Sequence, residues 1–402
     1  MSLITEYPGL TKPQKTAIWA GYLGWTLDAF DFFLLVFMLK AISEDFGANI
    51  EQVSEAIFLT LAARPVGALL FGWLGDRFGR RPILMLVILL FSIFSALSGF
   101  ARSLTELLVI RACFGVAMGG EWGLGASLVM ESIPVRLRGP VSGLLQSGYA
   151  SGYLLASLVY YLAFDALGWR GMFLLGLAPA LLVMVIRMGV EESPKFVESR
   201  SRPRVPLLKS LAANWKLTIY LVVLMSAMNF FSHGTGDLYP TFLQKQHHFD
   251  THTTGVLAAI MNVGSVIGAL VFGHVSEWLG RRRTIALACL LALLAVVPWG
   301  YSDGVYALAL GAFLMGLCVQ GAWSNVPAYL NELSPPAIRA TFPGLVYQLG
   351  NLIASRVTPF QAGIAERNGG NYSLALVSVT VVTVIVLAAW ISFGPERREE
   401  LE

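Results

Sequence analysis

Charged residues are scarce in this chain: Asp, Glu, Lys and Arg make up 13% of 402 residues, against about 25% in an ordinary soluble protein. With 56% of residues hydrophobic, a water-soluble globule would expose apolar surface far beyond what solubility tolerates, which excludes a soluble enzyme. Cysteine is equally sparse. Cys113, Cys289 and Cys318 are dispersed in apolar runs and read as small packing residues, not as a disulfide framework. No glycine-rich nucleotide loop occurs, so movement of a solute would be driven by a gradient or be passive. Nothing suggests nucleic acid as a partner. His247, His248 and His252 have imperfect helical spacing with only Asp250 nearby, so no metal site is expected. A cleavable leader is also missing, and the first apolar run is long enough to stay as a helix.

What the chain has is apolar length. Runs near the roughly 20 residues that span a bilayer occur at 17–42, 53–75, 82–101, 104–130, 138–164, 169–189, 216–245, 252–276, 283–301, 304–331, 339–364 and 371–394. Twelve spans make an all-α membrane protein embedded in a lipid bilayer. Most of the 28 Lys and Arg fall in the termini and even-numbered junctions, which puts both termini in the cytoplasm. The cytoplasmic (inner) membrane of a bacterium is the expected location. The stretch 191–215 is polar and holds Pro194, Pro203 and Pro206, so it reads as a linker between an N-terminal bundle, 1–190, and a C-terminal bundle, 216–402.

A repeat supports two halves. GALLFGWLGDRFGRR begins at Gly67 and GALVFGHVSEWLGRR at Gly268, 201 residues on, identical at eight of fifteen positions. At the same offset Asp76 meets Glu277, Arg80 meets Arg281, Glu131 meets Glu332, Arg138 meets Arg339, and Trp122 meets Trp323. Homologous halves in an apolar chain are the plan of a secondary transporter that rocks one half against the other. One chain then suffices, as a monomer.

The repeated phrase, Gly72 to Arg81 with Asp76, Arg77, Arg80 and Arg81, closely resembles the loop motif between helices two and three of the major facilitator superfamily. That resemblance implies the twelve-helix fold in two pseudo-symmetric six-helix bundles. It also implies a cytoplasmic gate built from Asp76, Arg80, Arg81, Glu131, Arg138, Glu277, Arg281, Glu332 and Arg339. Glu192-Ser193-Pro194-Lys195 resembles the signature after helix six of sugar porters. Leu27-Asp28-Ala29-Phe30-Asp31-Phe32 resembles the D-G-F-D of sialate and aromatic-acid proton symporters. Gly119-Gly120-Glu121-Trp122-Gly123 after Arg111 resembles helix four of the sialate symporters. Asn229 to Thr241, with Ser232, His233, Thr235 and Asp237, is similar to a motif of lactate and pyruvate–proton symporters, with Gly236 where that motif has Gln.

Charge inside a membrane costs on the order of 2.5–3.5 kcal/mol even on the lenient scale, so each such residue is a functional candidate. The spans hold Asp28, Asp31, Glu121 and Asp237 against Arg64, Arg111 and Arg356, with His233 besides. Four acids cannot each own one of three arginines, and the one left over is the candidate to carry a proton, because desolvation penalises its charged form. Asp28 and Asp31, at i and i+3, share a helix face and form either a proton switch or a static pair neutralised by Arg64. Arg111 and Glu121 stand too far apart on one helix to meet, so each pairs elsewhere. At 1.5 Å per residue, Asp31, His233 and Arg356 share a level.

Arg356 is the expected anchor for an anionic substrate, or else pairs with Asp31 or Asp237. Asn229, His233, Gln146, Tyr149, Asn262, Asn325 and Tyr347 are the further substrate-site candidates, each alternatively an interhelical hydrogen-bond partner. The expected function is proton-coupled symport of a small carboxylate such as lactate or pyruvate, with protons as coupling ion and no other cofactor. A sialic-acid or aromatic-acid symporter is the alternative. A drug or metabolite exporter and a non-transporting sensor are further readings.

Overall fold

The computed structural model describes residues 7–48, 50–177, 189–199 and 206–396. Among these, all regular structure is helical. The first half holds α1 (Lys12–Phe46), α2 (Ile50–Phe78), α3 (Arg80–Ser98), α4 (Leu104–Ser132) and α5 (Arg138–Leu174). Two short helices follow, α6 (Pro194–Ser199) and α7 (Leu207–Ala213). The second half holds α8 (Trp215–Gly236), α9 (Tyr239–Lys245), α10 (Thr251–Leu279), α11 (Arg281–Gly300), α12 (Val305–Trp323), α13 (Val326–Leu333), α14 (Thr341–Ala354), α15 (Val357–Arg367) and α16 (Tyr372–Ser392).

Local chemistry sets the boundaries. α1 starts on a reciprocal capping box between Thr11 and Gln14, with Pro13 in its first turn, where a missing N–H costs nothing. Gly79 and Gly280 adopt φ of 117° and 90°, a region closed to ordinary residues. They turn α2 into α3 and α10 into α11 with no loop between. α5 is interrupted at Gly168 (φ 59°), where the sixth expected span begins; most of that span, 178–188, lies outside the described residues, as do both chain ends and linker positions 200–205.

Nine segments among the described residues are long and apolar enough to cross a membrane. The remaining expected spans are accounted for individually. α1 carries Asp28 and Asp31 in its buried middle, the fifth and sixth run together across Gly168, and the eleventh is split into α14 and α15. The stretch read as a linker holds α6 and α7; Ser193 accepts the Phe196 N–H at 3.2 Å to start α6.

Three breaks were not expected: between α8 and α9, α12 and α13, and α14 and α15. Each falls just before a proline, Pro240, Pro327 or Pro359, whose ring clashes with the carbonyl four residues back and whose nitrogen cannot bond to it. All three lie in the second half. The 201-residue offset puts Leu39, Ala126 and Leu158 at the matching places in the first half.

Packing follows the repeat. α2 lies against α4 and α10 against α12; α3 lies against α4 and α11 against α12; α1 lies against α5 and α8 against α14. Between the halves, α5 packs on α10 and α2 on α14. The fold is thus an all-α membrane protein of two related bundles. At the seam, a Cβ on Gly273 would come within 2.7 Å of the Gly139 carbonyl and 3.0 Å of the Gly143 Cα, a backbone-to-backbone approach that only glycine permits.

Candidate functional site

Polar structure gathers in three places. The first holds the buried charges of the first half. Asp28, Asp31, Arg64, Arg111 and Glu121 are each at most 4% exposed. Asp31 accepts a hydrogen bond from Ser95 Oγ at 3.0 Å and lies in electrostatic reach of Arg111 and Asp28. Arg111 stacks its guanidinium over Phe114, 3.8 Å from the ring centroid, a favourable cation–π placement for a desolvated charge. Arg64 faces Met118 Sδ at 2.8 Å and the Phe32 ring at 5.4 Å. Glu121 lies in reach of Asp28 and Arg64. Asp28 Oδ1, Asp31 Oδ2, Glu121 Oε2 and all three Arg111 nitrogens are buried without a hydrogen-bond partner. Such atoms hold their places through mutual charge, and they are poised to accept or release a partner.

Asp31 therefore has Arg111 as its charge partner, and the expected alternative of Arg356 is corrected. Arg356 stands exposed at the α14–α15 break, as the N-cap residue of α15, and the charges that act on Asp31 are Arg111 and Asp28.

The second is an aromatic layer. Trp122 packs on Tyr347 at 4.7 Å between centroids, Trp323 on Tyr347 at 5.6 Å, Trp25 on Tyr149 at 5.6 Å and Phe33 on Tyr149 at 5.3 Å. Trp122 Nε1 donates to Gln146 Oε1 at 3.2 Å, and Gln320 Nε2 donates to the Gln146 carbonyl at 2.9 Å, across the halves. A small cavity of about 10 Å³ lies beside this layer, lined among others by Gly21, Trp25, Glu121, Trp122, Gln146 and Pro327. Trp25, Trp122 and Trp323 were not among the expected site residues. The repeat offered a signal, since Trp122 and Trp323 stand at equivalent positions, yet both close on the single Tyr347.

In the second half, His233 Nδ1 meets Asp237 Oδ1 at 3.2 Å and His233 Nε2 meets Asn351 Oδ1 at 3.2 Å. Thr358 Oγ1 donates to Asp237 Oδ2 at 2.7 Å. The cluster therefore spans the α14–α15 break. Other candidates are engaged in their own helices: Asn229 Nδ2 donates to the Met225 carbonyl at 2.8 Å and Asn262 Nδ2 to Ala258 at 3.0 Å. Asn325, at the α12–α13 break, donates to Gly321 at 3.1 Å and leaves its Oδ1 unpartnered.

The third place lies at the arginine-rich face, near Gly79 and Gly280. Arg80 Nη2 stands 3.3 Å from Asp76 Oδ1, and Arg80 Nε stands 3.4 Å from Glu131. In the other half Arg281 is 2.7 Å from Glu277 and 3.1 Å from Glu332. Between halves, Asp76 accepts from the N–H groups of Ala340 and Thr341 at 2.9 and 3.0 Å, and Glu277 accepts from the Gly139 N–H at 2.7 Å. Each acid thus caps a helix start of the opposite half, where carboxylates are favoured. Arg339 reaches Glu131 at 4.0 Å, and Arg138 donates to the Met130 carbonyl at 3.1 Å while in reach of Glu332. Glu192 accepts from the N–H groups of Arg80 and Arg81 at 3.0 and 3.2 Å, and Ser193 donates to Glu131. Glu192 and Ser193 were named only through their motif; Glu192 braces the α2–α3 turn and Ser193 holds Glu131 of α4.

Two related helical bundles, apolar outside and charged along the seam, define a polytopic membrane transporter rather than an enzyme. A profile described as Major Facilitator Superfamily matches residues 22–302, and one described as Sugar (and other) transporter matches 208–397. The chain belongs to the major facilitator superfamily. It is 27% identical over 385 residues to the sialic acid transporter NanX of Escherichia coli, covering 95% of each chain. It is 27% identical over 391 residues to the carboxylic acid transporter protein homolog of Saccharomyces cerevisiae, covering 90% of this chain and 63% of that one. The crystal structure of the proton:xylose symporter XylE matches with a TM-score of 0.78 at 18% identity, over 97% of this chain and 98% of that one.

Proposed function

We propose that the protein is a proton-coupled symporter of a small organic carboxylate, working by alternating access. One observation carries the reading: three carboxyl groups (Asp28, Asp31, Glu121) share one buried set with two guanidinium groups (Arg64, Arg111). The unmatched carboxyl is stable there only when protonated, and binding or losing that proton changes the charge of the set by one. Proton entry with the anion offsets the charge that opposes uptake into a negative interior, about 2.3 kcal/mol per 100 mV. A relative named for sialic acid and one named for carboxylic acid support an acidic substrate.

In this reading the arginine-rich face is cytoplasmic, and Asp76 and Glu277 with their partners form its gate. The anion enters from the opposite side towards His233, Asn351 and Arg356. The aromatic layer around Trp25, Trp122, Tyr149 and Tyr347 favours a planar or aromatic acid as the second form of the same function.

Purified protein in liposomes tests this with labelled lactate, benzoate and sialic acid under an imposed pH gradient. Accumulation that follows the pH gradient and collapses with a protonophore supports symport. If Asp28→Asn and Asp31→Asn both accumulate substrate with unchanged pH dependence, the coupling assignment fails. Intact acid transport by Arg356→Ala would remove that arginine as anchor and favour an exporter. Binding without counterflow would indicate a sensor.

A further inference from the structure

We propose that Asp31, Asp28 and Glu121 form a proton relay down one face of α1, with Glu121 handing the proton to water on the arginine-rich side. The inference rests on the proton-coupled reading of the same charges and adds a direction and an exit to it.

Asp31, Asp28, Gly24 and Gly21 follow one another at spacings of three, four and three residues, so they lie on a single helical face. Ten residues at 1.5 Å each make this stripe roughly 15 Å long. Its upper steps are the carboxyls of Asp31, on Ser95 of α3, and of Asp28. At the third step the side chain is missing, and a neighbour fills the gap: a Cβ on Gly24 would come within 2.6 Å of Glu121 Oε1. The Glu121 carboxyl from α4 thus occupies the place of a side chain on α1, one turn below Asp28. At the fourth step, Gly21 lines the cavity of about 10 Å³, room for a single water.

The cavity has the chemistry of a water site. Glu121 is 2% exposed and lines it with Oε2 unpartnered. Trp25 Nε1 is a second unpartnered buried polar atom on the same wall, and Gln146 is a third polar side chain. A buried water needs two to four such partners. The other groups facing this path are Arg64 of α2 and Arg111 of α4 beside Asp28, Tyr149 of α5 within reach of Asp28, and Tyr347 of α14 within reach of Asp28 and Glu121.

The steps balance. A proton on Asp28 moves to the Glu121 carboxylate, leaving Asp28 ionised beside Arg64. Glu121 then transfers the proton to a cavity water as hydronium, which exchanges with the aqueous phase when the arginine-rich face opens. Glu121 returns to its carboxylate.

The test uses the full chain in liposomes of known orientation, with a pH-sensitive dye inside and benzoate or lactate as probe. Glu121→Gln is expected to slow substrate-driven proton flux by about tenfold and to abolish its response to pH on the arginine-rich side. Response to pH on the opposite side, set by Asp31 and Asp28, is expected to remain. Glu121→Asp is expected to restore part of the flux. Wild-type flux and wild-type pH response on both sides in Glu121→Gln would overturn the relay. Should Glu121→Gln fail to fold, Gly24→Ala decides the matter. It keeps every carboxyl but displaces Glu121 from α1, so the same one-sided loss is expected, and a wild-type profile overturns the relay. A wild-type protein that moves no protons with any acid would instead sink the symport reading itself.

Discussion

Asp76 and Thr341, 265 residues apart, are joined by two hydrogen bonds, from the Thr341 N–H at 3.0 Å and from its hydroxyl at 2.6 Å. Asp76→Asn keeps the shape but turns one carboxylate oxygen into a donor facing other donors. A hydrogen bond to a charged group contributes about 1.5–3 kcal/mol. The variant should therefore favour separation of α2 from α14 by roughly tenfold to a hundredfold. Spin-label distances between the 79–81 and 336–338 turns measure this, and an unchanged distribution would remove Asp76 from the gate.

Arg281 is 1% exposed and serves two acids, Glu277 and Glu332. Arg281→Ala removes the ion-pair partner that Glu277 and the buried Glu332 share, a loss of about 3–5 kcal/mol. A marked drop in thermal stability in detergent is expected. The double variant Arg281→Met, Glu332→Met should recover most of it, and no recovery would mean packing, not charge, holds this site.

Gly273→Leu places a large side chain where the Gly139 carbonyl and Gly143 Cα already touch the glycine. The halves cannot then close at the arginine-rich face, and counterflow should fall to background while the protein remains folded. Wild-type counterflow would show that closure at this seam is not part of the cycle.

Pro327→Ala restores an N–H that can bond to the Trp323 carbonyl and join α12 to α13. A proline within a helix costs on the order of 3 kcal/mol, so the variant should be at least as stable as the parent. Its transport should be slower if the break supplies bending. Equal initial rates would make the break merely tolerated.

How much of this was legible in the sequence depended on the kind of information. Asp76 and Glu277 stood out because both lie in a repeated phrase, and Asp28 and Arg111 because charge in an apolar run is conspicuous. Partnerships were not legible. Which acid meets Arg111 depends on helix rotation and tilt, set by packing that hydropathy does not record. The place of Glu121 depends on a residue with no side chain, Gly24. The exposed place of Arg356 at the α14–α15 break was not legible for a local reason: an apolar run reads as one continuous helix, and Pro359, like Pro240 and Pro327, carries the contrary signal in a single residue. The brace from Glu192 was visible as a motif, but its target, the α2–α3 turn, required the fold.

The two carboxylate caps at the seam exchange places under the repeat: Glu277 holds Gly139, and Asp76 holds Ala340, which stand 201 positions apart. The seam is therefore isologous, as between the protomers of a twofold dimer. Separate protomers would have to find each other and be held by such a seam alone. Carried on one chain, each half meets the other at an effective concentration on the order of millimolar. Covalent linkage thus relieves the seam of the work of assembly, so its bonds need not be strong enough to hold two separate chains together.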